Sequence, residues 1–478
     1  MARQLYQQIR DRVLDGRLGS ETRLPPSREL AMLLGVSRNT VVDAIDQLYA
    51  EGYVTGRVGD GTYVSALSSP PPKHPQIEKQ TSASSVSLSA VERLASCAMP
   101  LPPEGSPRAF RVGVPAVDLF PFETWARLQA RFWRRPAPAL LGYGNPAGDP
   151  RLRELIAVYL RNSRGLACEA SQIVITSGAQ QGISLCARLL IDAGDHVAVE
   201  DPGYRAAGRA FAATGARLIG IEVDGDGMCV DQLRTVKDCR LAYVTPSHQY
   251  PLGVTLSLSR RLALLEWAID HNGWVVEDDY DGEYRYNGLP LAPLASLDRN
   301  GRVIYVGTFG KVAFPALRLG YVVLPPALVD LFTQQRALDV RTSDIGTQAV
   351  MADFIAEGHF QRHIRKMRKA AKARLTTLQH RWPTGVPGCA DLPEINAGLH
   401  TCVRVDCADR EAKLVRTALD IGIEINRLSD YWLDPAAVAS ERRAGLVLGF
   451  AAVPEAEITE ALSRLSTVWK AVQSTVEG

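Results

Sequence analysis

Val303-Ile304-Tyr305-Val306-Gly307-Thr308-Phe309-Gly310-Lys311 is the stretch whose reading decides the fold of most of this chain. Its first half is a continuous run of apolar and β-branched residues, the pattern of a strand buried on both faces in a parallel sheet. A glycine-punctuated turn then delivers a single lysine, with Pro315 and Arg318 just beyond it. Open α/β sheets bind their ligands at the carboxyl ends of strands. A lysine enclosed there has a lowered pKa and can form a Schiff base with an aldehyde.

Two further segments repeat this strand-then-chemistry arrangement. In Ile173-Val174-Ile175-Thr176-Ser177-Gly178-Ala179-Gln180-Gln181, a strand feeds a small-residue turn that opens a helix predicted over 179–190. The amides at that helix start suit a phosphate. In Trp274-Val275-Val276-Glu277-Asp278-Asp279-Tyr280-Asp281, an apolar strand ends in acids and a tyrosine, and a carboxylate there suits a cationic ring nitrogen. Aldehyde partner, pyridinium partner and phosphate cradle together are the demands of pyridoxal 5′-phosphate.

The composition bounds the rest. With 478 residues, the chain is long enough for two or three domains. Hydrophobic residues make up 46% and charged residues 22%, which excludes a disordered or fibrous chain. A formal charge of +2 gives no sign of a polyanion partner. The eight cysteines include no C-x-x-C pair and read as reduced thiols of a cytoplasmic protein. There is no signal-peptide core and no long apolar run, so no membrane association is expected.

Half of residues 68–87 are Ser or Pro, so residues 67–109 read as a linker, with a helical segment over 88–98. The large α/β domain takes 110–478, with strands and helices alternating as in a parallel sheet. Residues 1–66 form a separate module. An amphipathic helix is predicted over 2–16 with Leu5, Ile9, Val13 and Leu14 inward. Ser27 reads as the cap of a second helix, which buries Leu30, Ala31, Leu33 and Leu34. After the tight turn Gly35-Val36-Ser37, in which Ser37 reads as its cap, a third helix spans 38–51 and buries Val41, Ala44, Ile45, Leu48 and Tyr49. Residues 53–55 and 62–64 flank Gly59-Asp60-Gly61 and read as a hairpin. Helix, three-residue turn, helix and wing is a DNA-binding arrangement, although eight arginines are offset by eight acids over residues 1–64.

This module resembles the winged helix of the GntR family of bacterial regulators, on LPPSRELA (24–31), GVSRNTV (35–41) and LYAEGYVTGRVGDGTYV (48–64). The resemblance implies contact with double-stranded promoter DNA through Arg28, Ser37, Arg38, Asn39 and Thr40, with Gly59 and Gly61 at the wing. From about Phe110 onward the chain resembles a fold type I aminotransferase. As a whole it resembles the MocR subfamily, which fuses the two. The supporting motifs are YGNPAG (143–148), SGAQQG (177–182), EDPGY (200–204), TPSHQYPLG (245–253), EDDYDGEYRY (277–286) and TFGKVAFPALRLGY (308–321).

The resemblance implies roles for the pocket residues. Lys311 carries the internal aldimine, and Asp278, or alternatively Asp279, pairs with the ring nitrogen. Tyr280 binds the ring hydroxyl and Tyr204 stacks on the ring. Ala179, Gln180, Thr308 and Arg318 hold the phosphate, and Tyr143 reaches the partner's phosphate across a homodimer. Three positions depart from the family pattern: Tyr250 replaces an asparagine, Gly310 a serine, and Val447 the arginine that grips a substrate carboxylate. Arg443, Arg442 or Arg427 are the substitutes to consider for binding the effector.

The leading reading is a transcription regulator, not an enzyme, that senses a small amino compound or the cofactor itself. A working aminotransferase with an accessory DNA-binding module is the alternative. Two features carry blander readings. The basic run over 361–374 is a solvated helix face, and His359 with His363 lack a third ligand, so no metal is expected.

Overall fold

The computed structural model describes residues 1–57, 59–66, 97–98, 104–342, 344–386, 388–434 and 443–471. The chain divides into two compact units, 1–86 and 87–478. Most of the expected linker lies outside the described residues, as does the helix expected over 88–98 except for its last two residues, which are not helical.

The first unit combines helices α1 (Ala2–Leu14), α2 (Ser27–Leu34) and α3 (Arg38–Ala50) with a three-stranded sheet. Ile9, Val13, Leu24, Leu48, Val54 and Val64 form its core. The wing strands Val54–Arg57 and Gly61–Val64 pair antiparallel, and the short strand Arg23–Leu24, absent from the sequence reading, adds on the far side of the second. Ser27 is the first residue of α2 and not its cap. Leu33 and Leu34 are 69% and 47% exposed, because an eight-residue helix has only about two turns and its inward edge is Ala31. Tyr49 is also exposed, lying beside Gly56 of the wing.

The second unit is organised on an eight-stranded sheet. In spatial order its strands are Ile173–Thr176, Gly320–Val323, Val303–Thr308, Trp274–Asp279, Cys239–Val244, His196–Asp201, Arg217–Asp224 and Gly227–Met228. The five from Val303–Thr308 to Arg217–Asp224 run parallel. Gly320–Val323 is antiparallel to both neighbours, so the sheet is mixed and not wholly parallel. That reversal positions the site. The chain leaving Thr308 must turn back at once, and the turn carries Lys311 and Arg318. A second, three-stranded antiparallel sheet (His400–Arg404, Gly445–Gly449, Asn426–Arg427) packs one face on Leu375, Leu462 and Trp469.

Among the described residues no helix is long and apolar enough to cross a membrane. All eight cysteines are free.

Candidate cofactor site and nucleic-acid interface

A cavity opens at the carboxyl edge of the large sheet. It is lined by Gly178, Ala179 and Gln180 after the first strand, Tyr204 after His196–Asp201, Thr245 and Tyr250 after Cys239–Val244, Asp278 and Tyr280 at the end of Trp274–Asp279, and Thr308, Gly310, Lys311 and Arg318 in the reversing turn. Five stretches distant in sequence thus meet because parallel strands present their carboxyl ends along one edge.

Lys311 retains some exposed surface, but its amine is enclosed and donates to the Gly113 carbonyl at 2.7 Å. Burial lowers its pKa, while Asp281 and Asp278 oppose that shift. Gly113 was not singled out in the sequence. Its φ is +81°, which strains any side chain, and a Cβ there would stand 3.0 Å from the lysine Nζ and crowd the amine.

Strand alternation separates the two adjacent aspartates. Asp278 faces the cavity and accepts from the Tyr243 hydroxyl at 2.7 Å. Asp279 points to the opposite side, where it pairs with Arg164 and accepts from Tyr305 at 2.7 Å. Burial pushes the Asp278 carboxyl up to about 7, against the pull of the Tyr243 hydrogen bond. Its Oδ1 is buried without a partner. Tyr280 donates to the His248 carbonyl at 2.9 Å, and His248 Nδ1 lies 3.0 Å from both the Tyr280 hydroxyl and Asp281 Oδ2. No local pattern marked Tyr243 or His248, and the acidic run that includes Asp281 gave that residue no role, because each gains its role only from a neighbour on another strand or turn.

At the other end of the cavity, Arg318 is exposed and donates to the Ser177 carbonyl at 2.9 Å. Thr308 Oγ1 accepts from the Gly310 amide at 3.1 Å, and Gln180 Nε2 donates to the Ala206 carbonyl at 3.0 Å. Tyr143 is 83% exposed, 5.2 Å beneath the Arg341 guanidinium, and does not line the cavity. Arg427 and Arg443 do not line it either. The first pairs with Asp430 at 2.8 Å and the second lies 4.5 Å over the Trp432 ring. Arg442 lies outside the described residues.

The two histidines considered for a metal are apart in role. His363 is buried, not at the surface, and bonds the Val312 carbonyl at 2.8 Å; burial brings its pKa down to about 4. His359 pairs with Glu357. The basic run lies on helix His359–Arg381 with most of its charges exposed, but Arg374 is 2% exposed and pairs with Asp118.

In the first unit, Ser37 accepts from the Thr40 amide at 3.1 Å and caps α3. Arg28, Arg38 and Asn39 are exposed and Thr40 is half-buried. Arg10, Arg17 and Arg57 pair with nearby acids, whereas among the described residues Arg28 and Arg38 pair with none. Neutrality over this unit therefore conceals two unpaired cations at the start of α2 and α3. Gly59 and Gly61 have φ of +79° and +135° at the wing tip.

Comparison with known proteins matches residues 1–64 to the bacterial regulatory proteins of the gntR family, and residues 110–381 to aminotransferase class I and II. The "Probable rhizopine catabolism regulatory protein MocR" of Rhizobium meliloti is 37% identical, covering 99% of this chain and 94% of its own. The chain belongs to the MocR subfamily of GntR regulators. The pyridoxine biosynthesis transcriptional regulator PdxR of Corynebacterium glutamicum is 33% identical over 96% of this chain and 95% of its own. The crystal structure of Pyrococcus horikoshii kynurenine aminotransferase, in complex with PMP, superposes with a TM-score of 0.69 at 28% identity, covering 83% of this chain and 98% of that one.

For a MocR-type chain the cofactor is pyridoxal 5′-phosphate, and the residues present fit it. Asp278, whose Oδ1 is orphaned, lines the cavity, an amine stands enclosed in the same space, and the start of helix Ala179–Leu190 lies beside an arginine. The winged helix supports DNA binding, and the aminotransferase-like fold supports binding of an amino compound.

Proposed function

We propose that this chain is a pyridoxal-phosphate-dependent transcription regulator that binds promoter DNA through residues 1–66 and answers to an amino compound at Lys311. The domain limits 1–66, 67–109 and 110–478 are part of this reading, as are a homodimeric state and a cytoplasmic location. The observation that carries it is the enclosed Lys311 amine sharing one cavity with the unpartnered oxygen of Asp278, in a chain that begins with a winged helix.

The bound cofactor supplies an aldehyde that amines capture reversibly. Lys311 is the amine that holds it, and burial favours the neutral, nucleophilic form of that amine. Asp278 would pair with the ring nitrogen, and a positive charge there would favour its carboxylate. Tyr280, fixed by His248, would serve the ring oxygen, and Tyr204 would stack on the ring. Ala179, Gln180, Thr308 and Arg318 hold the phosphate, and Tyr143 serves the partner subunit's site. An amino effector would take the position that Lys311 holds, so its presence would differ from its absence by a freed lysine. A switch needs such a difference between two states. On the DNA, Arg38 and Asn39 read base edges from the start of α3. Arg28, Ser37, Thr40, Gly59 and Gly61 contact the backbone.

Incubating the purified full chain with the cofactor, trapping with borohydride and digesting tests the reading directly. We expect one modified peptide, carrying Lys311, and a promoter footprint that changes on adding an effector amine. Rapid steady-state transamination with no promoter-specific footprint would establish the enzyme instead.

A further inference from the structure

Helix His359–Arg381 carries a run of charge that the functional reading leaves unused. Its 23 residues include eight arginines and lysines and no Asp or Glu. The chain as a whole is nearly balanced, with 54 basic against 52 acidic residues. At 3.6 residues per turn, the buried Phe360, His363, Ile364, Met367 and Ala371 share one side of the helix. Arg362, Arg365, Lys366, Lys369 and Lys372 lie on the opposite side, and all five are exposed.

Their contacts leave that charge uncompensated. Lys366 donates to the Leu119 carbonyl and Lys372 to the Tyr286 carbonyl, each at 3.4 Å. Arg362 donates to the Glu357 carbonyl at 3.1 Å and to the His359 ring at 2.9 Å. Among the described residues the ion pairs of this helix are His359–Glu357 and Arg374–Asp118, and neither involves one of the five. Glu283 shares a groove with Arg365 and the half-buried Arg368, but its carboxyl accepts from the Tyr159 hydroxyl at 2.8 Å.

Local stability does not select such a face. A solvated helix gains from acids and bases interleaved at i, i+4, whereas these five repel one another at spacings of three and four. The run also begins near the helix N-terminus, where the backbone dipole disfavours cations. An external polyanion removes both penalties. From Arg362 to Lys372 the stripe is about 15 Å long. That length of duplex axis carries roughly nine phosphate charges on its two strands.

We propose that this face is a second DNA contact, one that grips the phosphate backbone of the duplex without reading its sequence. This rests on the chain being a promoter-binding regulator. Lysines suit the role, since an ammonium meets phosphate as a point charge and backbone contacts carry no sequence information.

The test compares the full, cofactor-loaded chain with two triple variants: Lys366→Gln with Lys369→Gln and Lys372→Gln, and the same three lysines changed to arginine. Each is titrated by filter binding, from about 50 to 200 mM salt, onto the DNA directly upstream of its own gene and onto a shuffled duplex of equal length. The glutamine variant should lower the salt slope by roughly two to three on both duplexes, at about 0.9 per phosphate contact. It should keep the preference for the upstream DNA, because that preference belongs to the winged helix. The arginine variant keeps the charge and should keep the slope. A slope unchanged by glutamine overturns the inference and leaves the face to water or to another polyanion. An equal loss in the arginine variant overturns it too, because shape and not charge was then at work. Absence of any preference for the upstream DNA in the wild type counts against the regulator reading instead, and the shuffled duplex still decides the backbone contact.

Discussion

The winged helix and the cavity both depend on cations, and the fold treats those cations in opposite ways. Arg28 and Arg38 stand in water, unpaired, on the first turns of two short helices. Lys311 is enclosed, hydrogen-bonded to a backbone carbonyl, and shifted by burial against the pull of two aspartates. A polyanion that arrives from solvent needs exposed charge, because neutralising phosphates displaces condensed counterions. An aldehyde needs a neutral amine, which burial favours. The same formal charge therefore serves binding in one unit and reactivity in the other.

The largest break in that comparison is Lys311→Ala. It should abolish the imine absorbance of the loaded protein while leaving operator affinity of the cofactor-free chain within a few-fold, as read by absorbance titration and fluorescence anisotropy. An unchanged absorbance band would move the lysine assignment elsewhere. Next in size is Asp278→Asn. Removing the charge opposite the ring nitrogen should weaken cofactor binding by about 1.5–3 kcal/mol, roughly tenfold to a hundredfold in Kd by equilibrium dialysis. It also removes a carboxylate that raises the Lys311 pKa. The lysine then deprotonates at lower pH, so the pH midpoint for capture of the cofactor by the apo protein moves down. An upward move would contradict the electrostatic account.

Legibility followed the same division. The strand, turn and lysine of residues 303–311 were plain in the sequence because a buried strand is a contiguous apolar run and its chemistry follows it directly. Helix Ala179–Leu190 and the start of α3 at Arg38 were legible from small-residue and capping signals. Illegible were contacts made across strands. The Tyr243–Asp278 bond joins neighbouring strands, and the Gly113 carbonyl arrives from a segment 198 residues from the lysine it holds. The antiparallel strand Gly320–Val323 was hidden because an apolar run does not encode its direction. The exposure of Leu33 and Leu34 was misread because apolar identity marks a core only where a partner surface covers it.

In the exposed unit the effects are smaller. Arg38→Ala should cost about 1–3 kcal/mol of operator affinity if the guanidinium forks onto a base, and should relax preference at one base position. Arg28→Ala should instead weaken all sequences alike and reduce the salt slope of binding by about one. If the two variants behave identically, both arginines touch backbone and α3 does not read sequence through Arg38.

The smallest effect sharpens the boundary between folding and recognition at Ser37, which the sequence assigned to DNA contact and whose hydroxyl caps α3. Ser37→Ala removes the acceptor for the Thr40 amide and should cost about 1 kcal/mol of stability in the winged unit. Ser37→Asp keeps an acceptor and adds a negative charge at the helix start, where it is favourable. It should therefore match the wild type in thermal unfolding while weakening DNA binding through repulsion of phosphate. Stability retained with affinity lost in Ser37→Asp, beside stability lost in Ser37→Ala, means that the serine does both jobs. An affinity unchanged by the aspartate would place the α3 start away from the phosphates, and with it Arg38, whose reach to a base edge depends on that approach.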